Sequence, residues 1–161
     1  MRHPAGEDMG MAGRIVVGVD GTEESAAALR WALEEADLRN AGIEAVHAWS
    51  YAPVATPADA GLVPLAWPDS NEAVDATREA AERVAREQVR EIAGDDSRVA
   101  HSVVPGDAAD VLIAAAEGAE LLVVGNRGRG AFAQALFGST SARVSDKAHC
   151  PVVVVHRGDT S

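Results

Sequence analysis

The sequence is poor in cysteine, in positive charge and in long apolar runs, and each shortage removes a class of explanation. One cysteine, Cys150, stands directly before Pro151. It cannot form an internal disulfide, which suits a reducing compartment, and the expected location is the cytoplasm. No apolar run approaches the roughly 18 residues of a membrane-spanning helix, so no membrane partner is expected. Basic side chains number 14 against 25 acidic ones, for a formal net charge of −11. A surface of that sign repels phosphate backbones and anionic lipid, so nucleic acid is not an expected partner either. Lys147 is the only lysine, so an anion site has to rely on backbone amides or arginine. His47, His101, His149 and His156 show no H-E-x-x-H or other metal spacing and read as structural or exposed residues, with no metal site. No G-x-S-x-G elbow occurs, and Cys150 has only His149 beside it as a base.

What is present is ordinary globular material: 47% hydrophobic and 24% charged residues in 161, which excludes disorder of the whole chain. A domain of about 150 residues buries roughly two-thirds of its unfolded surface without a disulfide or metal. Residues 1–13 lack the apolar core of a signal peptide and read as a flexible leader, with Met9 or Met11 as alternative starts. Residues 14–157 form one domain, and residues 158–161 a flexible tail.

Along that domain, strand and helix patterns alternate. Ile15 to Val19 is a short β-branched run, as expected of a strand buried on both faces. It ends at Asp20-Gly21-Thr22, where Thr22 caps a helix opened by Glu23 and Glu24. Leu29, Ala32, Leu33 and Ala36 mark that helix's inner face, and Gly42 closes it. Ile43 to Trp49 is a second strand. Ser50 to Pro68, with four prolines, is long for a connection and reads equally as a lid or as an irregular excursion. Ser70 to Ala93 is the longest helix. Its stripe is Ala73, Val74, Ala81, Val84, Ala85 and Ile92, interrupted by Thr77 and Gln88, with Glu82 and Arg86 as a surface pair. A third strand spans Arg98 to Val104. Asp107 caps a short helix with Val111, Leu112 and Ala115 inward. Leu121 to Val124 is the fourth strand, a helix covers about Ser141 to Ala148, and Val152 to Val155 is the fifth strand. Such alternation predicts an α/β fold, a single doubly wound five-stranded parallel sheet with helices on both faces. Right-handed crossovers then bring the ends of strands one and four to a ligand crevice.

The chemistry concentrates between strand four and the last helix, from Gly125 to Ser141. Glycine there lets backbone N–H groups close on an anion, and the helix N-terminus adds unpaired donors and partial positive charge. A phosphate chain is the natural occupant. Arg127 and Arg129 either add charge or point to solvent. A plain loop requiring positive φ would explain any one of these glycines. Two rival fingerprints fail. Gly128, Gly130 and Ala133 satisfy G-x-G-x-x-A, but only about 20 residues separate them from the next strand, too few for a unit with its own acidic ribose partner. A Walker loop needs Gly-Lys-Ser or Gly-Lys-Thr, and Lys147 is followed by alanine.

The remaining pattern, Gly125-x2-Gly128-x9-Gly138-Ser139, resembles the nucleotide-binding signature of the ATP-binding universal stress proteins. The resemblance runs from Ile15 to Val155 and includes Val-Gly-Val-Asp-Gly-Thr at the start, His47-Ala48-Trp49, Leu-Leu-Val-Val-Gly and the closing Cys-Pro-Val-Val-Val-Val. It implies a Rossmann-like fold and roles residue by residue. Asp20 would contact the nucleoside, with Val19 and Thr22 beside it. Ala48 and Val124 would line the adenine pocket. Gly125, Gly128, Gly138, Ser139 and Thr140 would offer amides to ribose and phosphates, joined by the hydroxyls of Ser139 and Ser141. Thr140 stands where the family commonly has valine. Asp20 also reads as a turn residue, though its strand-end position favours the site. The implied activity is that of an ATP-binding stress-response regulator, with Mg2+ accompanying the phosphates, and not of an enzyme. A slow ATP hydrolase or nucleotidyl transferase, an AMP or cyclic AMP binder, and a nucleotide-free scaffold are the alternatives. Val152 to Val155, if at a sheet edge, is an uncharged template for a second copy, and the resemblance likewise implies a homodimer, with a further protein partner unidentified.

Overall fold

The computed structural model describes residues 13–50, 71–126 and 138–157. The leader up to residue 12, the loop of residues 51–70 (with Tyr51 and Trp67), residues 127–137 and the tail lie outside the described residues. The elements run β1 (Arg14–Gly18), α1 (Glu23–Arg39), β2 (Gly42–Trp49), α2 (Asn71–Ala93), β3 (Val99–Pro105), α3 (Ala108–Ala115), β4 (Leu121–Gly125), α4 (Ser139–Lys147) and β5 (Val152–Val155). All strand pairs are parallel, in the order β3-β2-β1-β4-β5.

Alternation along each strand explains why these runs are apolar on both sides. Ile15 and Val17 pack with Leu29, Ala32 and Ala36 of α1 and Ala85 and Val89 of α2. Val16 points the other way, onto Val111 and Leu112 of α3 and Val144 of α4. All three β1 residues are fully buried. Two helices therefore cover each face, as expected of a doubly wound sheet. Strand order reverses between β1 and β4, so helices leave their carboxyl ends on opposite faces and open a crevice there.

Several boundaries differ from the expectations. Asn40, not Gly42, closes α1: it is left-handed (φ 53°, ψ 44°) and its N–H bonds Ala36 O, a conformation asparagine tolerates better than most residues. Gly42 opens β2 instead. In α2 the buried residues are Ala81, Ala85, Gln88 and Val89, while Val74 is 41% exposed, because burial begins only after the third turn of the helix. Glu82 pairs backward with Arg78 (3.4 Å) and not forward with Arg86. In α3 it is Ala116, beyond the last helical residue, that is buried, and Ala115 is only half-buried. Helix α4 begins two residues earlier than expected, at Ser139.

Candidate functional site

The turn after β1 is built from its own polar side chains. Thr22 caps α1, accepting from the Ser25 N–H. Its own N–H (3.0 Å) and hydroxyl both donate to Asp20 Oδ1, so the Asp20 carboxylate is held in an Asx-type turn. Gly21 takes φ 81°, which a side chain would resist. Gln88 reaches over from α2: its Oε1 accepts from Gly21 N–H (3.0 Å) and the Ser25 hydroxyl (2.9 Å), and its Nε2 donates to Thr22 O (2.9 Å). Thus the apparent polar interruption of the α2 stripe is a buried clamp on the turn. Asp20 is a turn residue, and it also lines the crevice. Thr22 does not line it; it positions Asp20.

Across the crevice, β4 ends at Gly125. A Cβ there would fall 2.8 Å from the Glu24 carbonyl group of α1, so glycine is required by helix packing and not by a positive φ. Asn126 accepts at its backbone carbonyl from the Gly138 N–H (2.7 Å). The Gly138 amide, expected to face a phosphate, is therefore engaged within the protein. The Ser141 hydroxyl, also expected at the ligand, is buried and donates toward Gly138 O (3.0 Å). No side chain caps α4, and Ala142 N–H is the first to bond back, to Gly138 O. The amides of Ser139, Thr140 and Ser141 thus lack intrahelical partners, and an uncapped helix start is an anion-binding element. Arg127 and Gly128 lie outside the described residues.

The space between these two turns is a cleft of about 410 Å3, within the usual range for small-molecule sites. Val19, Asp20, Ala48, Val124, Gly125, Gly138, Ser139, Thr140 and Ser141 all line it. It also takes in residues that sequence reasoning missed: Ser25, His47, Trp49, Leu112 and Ala108, and a wall of Thr77, Ala80, Ala81 and Val84 from α2. His47 and Trp49 adjoin Ala48 at the carboxyl end of β2, and that nearness to the crevice was the usable signal for them; the α2 wall has none, because only tertiary packing brings it there. His47 is buried, with Nδ1 2.7 Å from Val19 O. A carbonyl only accepts, so Nδ1 carries the proton of that bond. Among the described residues, two buried side-chain polar atoms have no hydrogen-bond partner: Trp49 Nε1 and Asn126 Oδ1.

On the face behind α4, Arg143 bridges to α3, donating to Asp107 (2.6 Å) and Asp110 (2.7 Å). The Asp110 backbone N–H, and then the Arg143 guanidinium, hold the Asp107 carboxyl below the ordinary carboxylate range. Cys150 is remote from the cleft, and burial pushes its thiol up, away from the reactive thiolate. Among the described residues no group of three or more His, Cys, Asp or Glu is placed to hold a metal ion.

Against known proteins, residues 11–156 match the model of the universal stress protein family. A universal stress protein of Mycolicibacterium smegmatis is 38% identical over 145 residues, covering 90% of this chain and 48% of its own length. The chain thus spans about half the length of the curated relatives it matches. A solved universal stress protein in complex with cAMP is 27% identical with a TM-score of 0.56, covering 89% of this chain and 96% of that one. A universal stress protein from Lactobacillus plantarum shares the fold, with a TM-score of 0.69 at 24% identity over 89% of this chain and 97% of its own.

Proposed function

Because this chain belongs to the universal stress protein family, we propose that it is an adenine-nucleotide-binding regulatory protein of the stress response whose preferred ligand is ATP. The observation that carries the reading is the pairing of an uncapped α4 start with the Asp20 turn across one cleft. The amides of Ser139 and Thr140 suit phosphate oxygens. The Asp20 carboxylate accepts from a ribose hydroxyl, and the apolar surface around Ala48 and Val84 suits a planar base. The cyclic AMP complex of a similar protein supports an adenine nucleotide as occupant. Mg2+ would travel on the phosphates of the triphosphate, with Asp20 as the carboxylate that lines the cleft.

The protein acts by holding the nucleotide and altering its contacts, as a homodimer joined through β5 and with a further protein partner, in the cytoplasm. It is not an enzyme in this reading. Asp20, the carboxylate among the described residues that line the cleft, accepts two Thr22 bonds at Oδ1 and serves in this reading to hold the turn and the nucleoside. A turnover assay with ATP is expected to give rates near background.

Denaturing the freshly purified protein and identifying the released nucleotide by mass spectrometry tests the reading directly. Added ATP at 100 times its Kd should stabilise the fold by about 2.7 kcal/mol, and AMP and cyclic AMP by less at equal concentration. No released adenylate and no thermal shift with any of the three would overturn it.

A further inference from the structure

Two helices on one face of the sheet start side by side at its carboxyl end. Helices α3 and α4 both pack on the Val16 side, and their first residues, Ala108 and Ser139, both line the cleft. Each start carries the partial positive charge of a helix N-terminus, but the two are finished differently. Asp107 closes α3 with its own carboxylate, Oδ1 accepting from the N–H groups of Ala109 (3.1 Å) and Asp110 (3.2 Å). Gly138 has no side chain with which to close α4. An open anion position therefore stands beside one that the protein fills itself.

That filling has an electrostatic consequence. Neighbouring helices pack with their axes about 8–10 Å apart, so an anion at the α4 start lies about one Debye length from Asp107 and Asp110. Both carboxylates oppose it. Arg143 stands one turn further along α4 and is set against the two of them, Nη1 2.6 Å from Asp107 Oδ1 and Nη2 2.7 Å from Asp110 Oδ1. Side chains on a helix lean back toward its N-terminus, so the guanidinium is carried toward the anion position. As a tie between helices a partly exposed ion pair contributes modestly, and the fully buried Val144 also anchors α4. What only the guanidinium supplies is charge: it leaves one net negative charge where the two aspartates alone would leave two.

We infer that Arg143 is a charge-balancing residue of the nucleotide site: it offsets the carboxylates beside the α4 start and so sets how well the cleft accepts a ligand carrying several phosphates. The inference rests on the adenine-nucleotide reading above and adds a residue, outside the cleft lining, that lets a triphosphate compete with a monophosphate. Its signature is a dependence on ligand charge, which a packing role would not produce.

The test is calorimetric titration of the full chain, without Mg2+, with cyclic AMP, AMP and ATP, which carry about one, two and four negative charges. One unit charge about 10 Å from another in water alters affinity roughly twofold. Arg143→Gln keeps a donor amide and loses the charge. It should weaken cyclic AMP about 2-fold, AMP about 4-fold and ATP about 10-fold, and the differences should shrink as salt is added. Arg143→Lys keeps the charge and should stay within about twofold of wild type for all three. Asp110→Asn removes one opposing charge from an exposed side chain and should tighten ATP more than cyclic AMP. An Arg143→Gln loss equal for the three ligands, or no loss, overturns the inference and leaves the nucleotide reading intact. Should Arg143→Gln fold poorly, Asp110→Asn decides alone, and an unchanged ATP affinity there overturns it. If wild type binds none of the three, the nucleotide reading fails and this inference falls with it.

Discussion

At the level of single residues, two glycines of the signature also have structural work within the protein: Gly125 in helix packing and Gly138 in a bond to Asn126. Gly125 is glycine because the Glu24 backbone sits where its Cβ would go. Gly125→Ala should therefore lower stability by about 1–3 kcal/mol, as overpacking does, and should do so without nucleotide; a denaturant midpoint equal to wild type would contradict it. Ser139 is the first helical residue of α4, and Gly138 before it is extended (φ −67°, ψ 158°), a conformation a following proline accepts. Ser139→Pro should keep the fold while deleting one donor amide, and ATP titration should show affinity about 10- to 150-fold weaker, the value of one hydrogen bond to a charged group. Unchanged affinity would remove that amide from the site. Part of this was legible beforehand. Asp20, Ala48 and Val124 fall where strand ends predict, because a sheet's crevice follows from its strand order. The engagement of Gly138 by Asn126 was not legible, since a glycine's hydrogen-bond partner is chosen by the returning chain and leaves no mark in local sequence.

Among the elements, α2 and α4 show how a helix is tied to the site. Gln88 looked like a flaw in an apolar stripe and is the tie between α2 and the β1 turn. Gln88→Ala would strand the Gly21 N–H and should destabilise by about 1–3 kcal/mol, with nucleotide affinity falling as the Asp20 turn loosens; loss of stability without any change in affinity would separate the turn from the site. Helix α4 is held to α3 by Arg143 and the two aspartates. Asp107 has its folded-state pKa lowered, so its contribution is present above the unfolded value near 3.9 and is lost as pH falls through the folded one. Acid titration of wild type against Asp107→Asn should show the wild-type advantage at neutral pH disappearing below about pH 4. Element identities were legible throughout because the strands are short runs rich in β-branched residues and the helices carry a 3.6-residue period. Ends were less so: the α1 terminus depends on Asn40 adopting the left-handed region, which many residues near a helix end would allow.

For the molecule as a whole, the decisive features are its topology and its charge. Among the described residues no helix is long and apolar enough to cross a membrane. The sheet has two outer strands, β3 and β5. Strand β5 consists of four valines, one of them buried and the rest half-buried, and such an edge invites pairing with another copy. Sedimentation at micromolar concentration should show a dimer, and a charged substitution such as Val153→Lys should shift it to monomer. A wild-type monomer would refute the edge as an interface. With 25 acidic and 14 basic side chains, binding of a triphosphate works against the overall field, so its affinity should rise with added salt until screening of the local amide contacts takes over.

The bond from the Gly138 amide to the Asn126 carbonyl (2.7 Å) has an engineering consequence. It ties the residue after β4 to the residue before α4, so lengthening the chain between them carries a closure-entropy cost of only about 0.6 kcal/mol per doubling, and a peptide tag spliced in beyond Gly128 would leave the signature glycines in sequence.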